Sequence, residues 1–220
     1  MLKKRWTKVL VFAAGLAPIF WLCWRAWNQN LTANPIEYIT RYTGDWTIRF
    51  IVFTLAVTPL RKVLGLPDLI RFRRMIGLYA FFYGTLHFIT FIWLDKFFDL
   101  GDMLKDVAKR PFITAGFTAF LLMAPLAVTS TAGWIRRMGG KRWQRLHRLV
   151  YVSAIAGAVH YYWLVKSDIR LPAMYGALVG VLLAYRAVVW ARKGKPGAAV
   201  KRGCSTVLAA PGRNAPQTRD

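Results

Sequence analysis

The chain has 220 residues, of which 56% are hydrophobic, 15% aromatic and only 19% charged. That balance is too apolar for an ordinary globular surface, and it excludes disorder as the main state. The net charge of +23, from 32 Lys+Arg against 9 Asp+Glu, is of the kind seen in nucleic-acid binders. Here, however, the basic residues fall in short clusters between long apolar runs, which points to a membrane instead.

Six apolar stretches are long enough to cross a hydrocarbon core of about 30 Å. They cover residues 9–27, 46–64, 75–94, 112–131, 146–165 and 171–191. The first follows Lys3, Lys4, Arg5 and Lys8. It is longer than the core of a signal peptide and shows no small-residue cleavage site, so it reads as a retained helix. Pro18, Pro59 and Pro125 fall within spans and predict kinks.

Charge predicts the orientation. One set of span ends holds Lys3–Lys8, then Arg61, Lys62, Arg71, Arg73 and Arg74, then Arg136, Arg137, Lys141, Arg142, Arg145 and Arg148, then a basic tail. The opposite set holds Glu37, Asp45, Asp95, Asp99, Asp102, Asp106 and Asp168. The positive-inside rule places the first set in the cytoplasm, with both termini inside. Residues 1–194 then form the membrane domain. Residues 195–220, rich in Gly, Pro and basic side chains, read as a disordered cytoplasmic tail.

No Asp or Glu lies inside an apolar run, so paired-carboxylate chemistry and carboxylate proton relays have no candidates there. Cys23 and Cys204 are far apart, with no CxxC and no CxxCH. A thiolate metal cage and covalently attached haem therefore lack ligands. No dinucleotide fingerprint or P-loop is present. The loop 95–111 carries Phe97, Leu100, Leu104, Val107 and Ala108 at helical spacing. That spacing predicts a short amphipathic helix, a connector on the membrane surface or a dock for a partner outside it.

Three histidines remain: His87, His147 and His160. His87 lies 13 residues beyond Arg74, and His160 lies 12 beyond Arg148. Both therefore stand roughly 18–20 Å above an inner basic cluster, at matched depth. Each follows a small-x3-Gly-x2-His pattern: Ala80, Gly84, His87 and Ser153, Gly157, His160. The small residues share the histidine's helix face and leave a flat strip beneath each imidazole, as a planar macrocycle held between two such rings requires. Small-xxx-small helix packing would use the same residues. The duplication at equal depth favours bis-histidine haem over packed core histidines. His147, at the inner boundary, is a candidate ligand for a second haem. A step of 13 residues turns the helix face by about 220°, so it does not share His160's face in an ideal helix. Its bland reading is a solvated interfacial histidine. Arg73, Arg74, Arg145 and Arg148 suit propionates, flavin phosphate or anionic lipid.

These residues carry a resemblance. Arg73-Arg74-Met75-Ile76-Gly77-Leu78, Thr85-Leu86-His87, Thr129-Ser130-Thr131, Lys141-Arg142-Trp143-Gln144-Arg145-Leu146-His147 and His160-Tyr161-Tyr162-Trp163 resemble the MsrQ (YedZ) family. Its members are haem-binding membrane subunits of the bacterial periplasmic methionine sulfoxide reductase system. The likeness runs from the first span to the sixth. That family is similar to the ferric reductase transmembrane domain, which places haems between its third and fifth helices. The resemblance implies an all-α membrane protein of six helices with both termini cytoplasmic, a b-type cytochrome of the bacterial inner membrane. It implies electrons drawn from the quinone pool or a cytoplasmic flavin reductase, with FMN as a further cofactor. They would pass to MsrP, a periplasmic molybdenum-cofactor subunit that reduces methionine sulfoxide. Catalysis would belong to that partner. The family's three histidines map onto His87, His147 and His160. Wider relatives carry a second histidine on the third helix, where Arg74 stands here. Two other classes stay open on the residues alone: a polytopic transporter or channel, and a membrane anchor without a cofactor.

Overall fold

A computed structural model describes residues 5–193; the expected tail at 195–220 lies outside them. All the regular structure among these residues is helical. The chain runs through α1 (Arg5–Trp27), α2 (Pro35–Val63), α3 (Ile70–Thr90), α4 (Leu100–Lys109), α5 (Pro111–Val128), α6 (Ala132–Met138), α7 (Gly140–Leu146), α8 (Leu149–Leu164) and α9 (Arg170–Lys193). A 3-10 turn, Pro67–Leu69, leads into α3, and a π-helical turn, Phe91–Asp95, leads out of it. Residues up to Tyr185 form one compact unit, and the end of α9 from Arg186 forms a second.

Local chemistry sets the helix ends. Asn34 caps α2 by accepting from the Glu37 amide at 3.2 Å, with Pro35 in the first turn, where its missing N–H costs nothing. Asp99 caps α4 in the same way, accepting from the Asp102 amide at 3.0 Å. Gly139, at φ 73°, turns the chain between α6 and α7, a conformation that favours glycine.

Four stretches are long and apolar enough to cross a membrane: Trp6–Trp27, Pro67–Asp95, Pro111–Val128 and Arg170–Arg192. The two other expected spans differ in kind. Helix α8 has 16 residues, about 24 Å of helix. Helix α2 has 29 residues but carries Arg41, Asp45 and Arg49 in its first half. It begins at Pro35 rather than at 46, so Asp45 lies well inside a helix. There it pairs with Arg49 at 3.8 Å, and Arg49 donates to the Tyr175 hydroxyl at 3.0 Å.

Lipid tails are as apolar as leucine, so membrane helices associate through close packing and hydrogen bonds. Both are visible here. The most extensive pairings are α2 with α3 and α5 with α8. Phe50 of α2 stacks on Tyr79 and Tyr83 of α3, with ring centres 5.4 and 5.2 Å apart. The Tyr83 hydroxyl donates to the Gly15 carbonyl at 2.9 Å and accepts from the Ile19 amide at 3.2 Å. It is thus inserted across one i to i+4 step of α1, beside Pro18. Tyr79 donates to the Phe12 carbonyl at 2.7 Å, one turn away. These phenols lock α1 onto α3.

Candidate functional site

His87 on α3 and His160 on α8 meet. Their ring centres are 6.0 Å apart, with planes at 71°. Each ring is tied to a main-chain carbonyl of the helix its own helix packs against. His87 Nδ1 lies 2.9 Å from the Thr40 carbonyl of α2, and His160 Nδ1 lies 2.6 Å from the Phe112 carbonyl of α5. A carbonyl only accepts, so each Nδ1 carries the proton and each Nε2 keeps its lone pair. The pair therefore offers two neutral imidazole nitrogens.

The spacing suits one metal. An ion about 2 Å from each of two opposed ring nitrogens separates the ring centres by roughly 6 Å. No third His, Cys, Asp or Glu joins the pair as a ligand among the described residues. A metal held here would need its remaining donors from a non-protein group, and a planar tetradentate macrocycle supplies four.

Two glycines not singled out in the sequence back these rings. A methyl group at Gly44 of α2 would lie 3.1 Å from His87 Cε1, and one at Gly116 of α5 would lie 2.7 Å from His160 Nδ1. At the two glycines expected to give clearance, a Cβ at Gly84 would meet Met123 Cε at 3.1 Å, and one at Gly157 would meet Ile48 Cδ1 at 3.9 Å. Ser153, from the same predicted strip, is buried and donates to the Ala119 carbonyl at 2.9 Å. Tyr161, the neighbour of His160, interacts with the Asp45 carboxylate.

His147 sits apart. It is the residue at which α7 ends, before α8 begins at Leu149. His147 and His160 are therefore on different helices, and the rotation expected of one continuous helix does not apply. The His147 ring stacks on Trp143 with centres 3.9 Å apart, and its Nε2 lies 3.2 Å from Thr129 Oγ1. Trp143 in turn donates to the Thr129 carbonyl at 2.9 Å. The arginine whose charge acts on His147 is Arg73. Arg74, Arg145 and Arg148 are exposed at this basic end.

Known proteins share this arrangement of sequence. The ferric reductase like transmembrane component family matches residues 43–158, a stretch that includes His87 and His147 and stops two residues short of His160. Three bacterial relatives bear the name protein-methionine-sulfoxide reductase heme-binding subunit MsrQ. The protein of Herminiimonas arsenicoxydans is 56% identical over 186 residues, covering 84% of this chain and 85% of its own. That of Bordetella pertussis is 48% identical, covering 84% and 91%, and that of Caulobacter vibrioides is 49% identical, covering 82% and 85%. The chain is thus a ferric reductase-like membrane protein and belongs to the MsrQ family.

Proposed function

We propose that this chain is a b-type cytochrome subunit of a methionine sulfoxide reductase system, with His87 and His160 as the axial ligands of one haem. The observation that carries the reading is the facing imidazole pair, 6.0 Å between ring centres, each Nδ1 spoken for by a different helix. The relatives' names, which specify haem binding, support the same reading.

When bound, haem supplies a one-electron iron couple whose potential depends on its axial ligands and on burial. The chain's own residues do the rest. His87 and His160 would hold the haem through Nε2, the nitrogen that the carbonyl contacts leave free. The Thr40 and Phe112 carbonyls fix both tautomers and raise the basicity of the ligand nitrogens. The aromatic packing of Phe81 on Phe120, at 5.6 Å, and of Phe88 on Phe120, at 4.7 Å, makes the surroundings apolar. At the other end His147 is the candidate for a second haem, with Arg74, Arg145 and Arg148 as partners for propionate, phosphate or lipid. Its occupied Nε2 ranks it below the pair.

The wider role follows from the resemblance and the charge pattern. Six helices cross the bacterial inner membrane, with basic ends and both termini in the cytoplasm. Electrons enter from the quinone pool or a cytoplasmic flavin reductase, with FMN as a further cofactor. They leave to the periplasmic partner MsrP, which reduces methionine sulfoxide in oxidised proteins. The test is optical. Protein purified in mild detergent is red, and its visible bands sharpen with dithionite. A colourless preparation overturns the reading and leaves a transporter or a cofactor-free anchor.

A further inference from the structure

The two histidines are held by the same device, used twice. On α2 the accepting carbonyl is Thr40 and the backing glycine is Gly44; on α5 they are Phe112 and Gly116. Both pairs are four residues apart. That spacing has a physical reason. Inside an α-helix the carbonyl of residue i already accepts from the amide of residue i+4. Gly44 and Gly116 are those i+4 residues. A carbonyl oxygen has a second lone pair, and an outside donor can share it. To reach it from a packed helix, an imidazole must lie over the i to i+4 hydrogen bond, where the side chain of residue i+4 would otherwise stand. The ring atoms near the missing Cβ are those this geometry demands: Cε1 and Nδ1 in both cases.

The two helix pairs carrying the device, α2–α3 and α5–α8, are also the most extensively packed in the protein. In each, one helix supplies carbonyl and glycine and the other supplies the ring. The two cradles differ in tightness. An added methyl at Gly44 would approach His87 to 3.1 Å, a contact the ring relieves by shifting a few tenths of an ångström. At Gly116 the approach to His160 is 2.7 Å, which forces the ring to move.

We infer that Gly44 and Gly116 are positioning residues that seat the two imidazoles on the carbonyls of Thr40 and Phe112 and so fix the angle and basicity of the axial ligands. This rests on the bis-histidine reading above. Neither glycine has a side chain that could bind a metal. Each acts through its histidine: a methyl group lifts the ring off the carbonyl, weakens the Nδ1–H···O bond and turns the ring plane. A less basic imidazole stabilises ferric iron less, so the midpoint potential rises.

The test compares full-length wild type, Gly44→Ala, Gly116→Ala and a control, Gly77→Ala, in detergent. Gly77 lies on α3, and its added methyl would meet Thr54 Cγ2 at an ordinary 3.6 Å. Four quantities are read: haem per chain by pyridine haemochrome, helicity, the ferric low-spin EPR signal and the midpoint potential. The largest g-value of that signal reports the angle between the imidazole planes. Gly44→Ala is expected to keep its haem, with an altered largest g-value and a raised midpoint. Gly116→Ala shifts both further and retains haem roughly 10–100-fold more weakly, the range for losing a partner of a metal-bound histidine. Gly77→Ala matches wild type.

If Gly44→Ala and Gly116→Ala both reproduce the wild-type signal and potential, the inference fails. It fails equally if Gly77→Ala shifts them as much. If Gly116→Ala does not accumulate, Gly44→Ala decides alone. Wild type without haem overturns the bis-histidine reading itself, whereas haem-loaded wild type with indifferent glycine variants overturns only the positioning role.

Discussion

The paired histidines, His87 and His160, and the lone His147 differ in what occupies their ring nitrogens. In the pair each Nδ1 is bound by a carbonyl from a neighbouring helix, which leaves both Nε2 atoms with their lone pairs. The His147 ring is stacked on Trp143, and its Nε2 meets the Thr129 hydroxyl. At the pair, two helix pairs converge on one point. At His147, the imidazole stands at a helix break and partners residues close to it in the chain. What frees a histidine nitrogen for a metal is the helix that takes its other nitrogen, more than depth alone.

The largest expected effect breaks the pair of His87 and His160. His87→Ala or His160→Ala should each remove the sharp reduced bands of the wild-type spectrum, because a lone imidazole leaves one axial position empty. His147→Ala should keep most of the absorbance. Equal, complete loss in all three variants would put the two ends on the same footing and refute the ranking. A smaller effect concerns the scaffold. Tyr83→Phe removes the hydroxyl bridging Gly15 and Ile19, and should cost about 0.6–2 kcal/mol of stability in a denaturant titration, the range spanned by double-mutant cycles and model peptides for hydrogen bonds between membrane helices.

The smallest effect lies on the loop between α3 and α5. Lys96 contacts Asp102 at 2.7 Å and Asp106 at 2.5 Å, and Asp106 meets Arg110 at 3.2 Å. Hydrogen bonding to Lys96 holds the Asp102 carboxyl below its ordinary value of 3.8, and the same bonds, to Asp102 and then Asp106, hold the Lys96 ammonium above 10.5. A depressed acid stabilises the fold above its unfolded value and loses that contribution as pH falls through the folded one. A raised base does so below its unfolded value and loses it as pH rises through the folded one. The latch should therefore hold α4 between about pH 4 and 10. A spin label on α4 should gain mobility only outside that window, and in Lys96→Ala within it. A label indifferent to both would remove the latch from the account.

Much of this was legible in the chain. Apolar runs located the cores of α1, α3, α5, α8 and α9, and the spacing of Leu100, Leu104 and Val107 located α4. Equal distance from basic clusters singled out His87 and His160. What stayed hidden was tertiary. The extra turns of α2 before residue 46 are polar on one side, with Glu37, Arg41 and Asp45, and periodicity in apolar residues does not see them. The short helices α6 and α7 sit in a basic loop without an apolar run. Thr40, Gly44, Phe112 and Gly116 carry no chemical signal of their own; a backbone carbonyl becomes a histidine partner only when another helix brings a ring to it. The break at His147 carries no breaker residue: Arg145-Leu146-His147-Arg148-Leu149 holds neither Pro nor Gly.

The most direct test labels histidine with 15N in the wild-type protein and reads the hyperfine couplings of the ferric EPR signal. The account predicts one low-spin iron coupled to two histidine nitrogens, both lost together in His87→Ala and in His160→Ala and both kept in His147→Ala. Coupling to a single histidine nitrogen, or a signal that survives either of the first two substitutions, would contradict it.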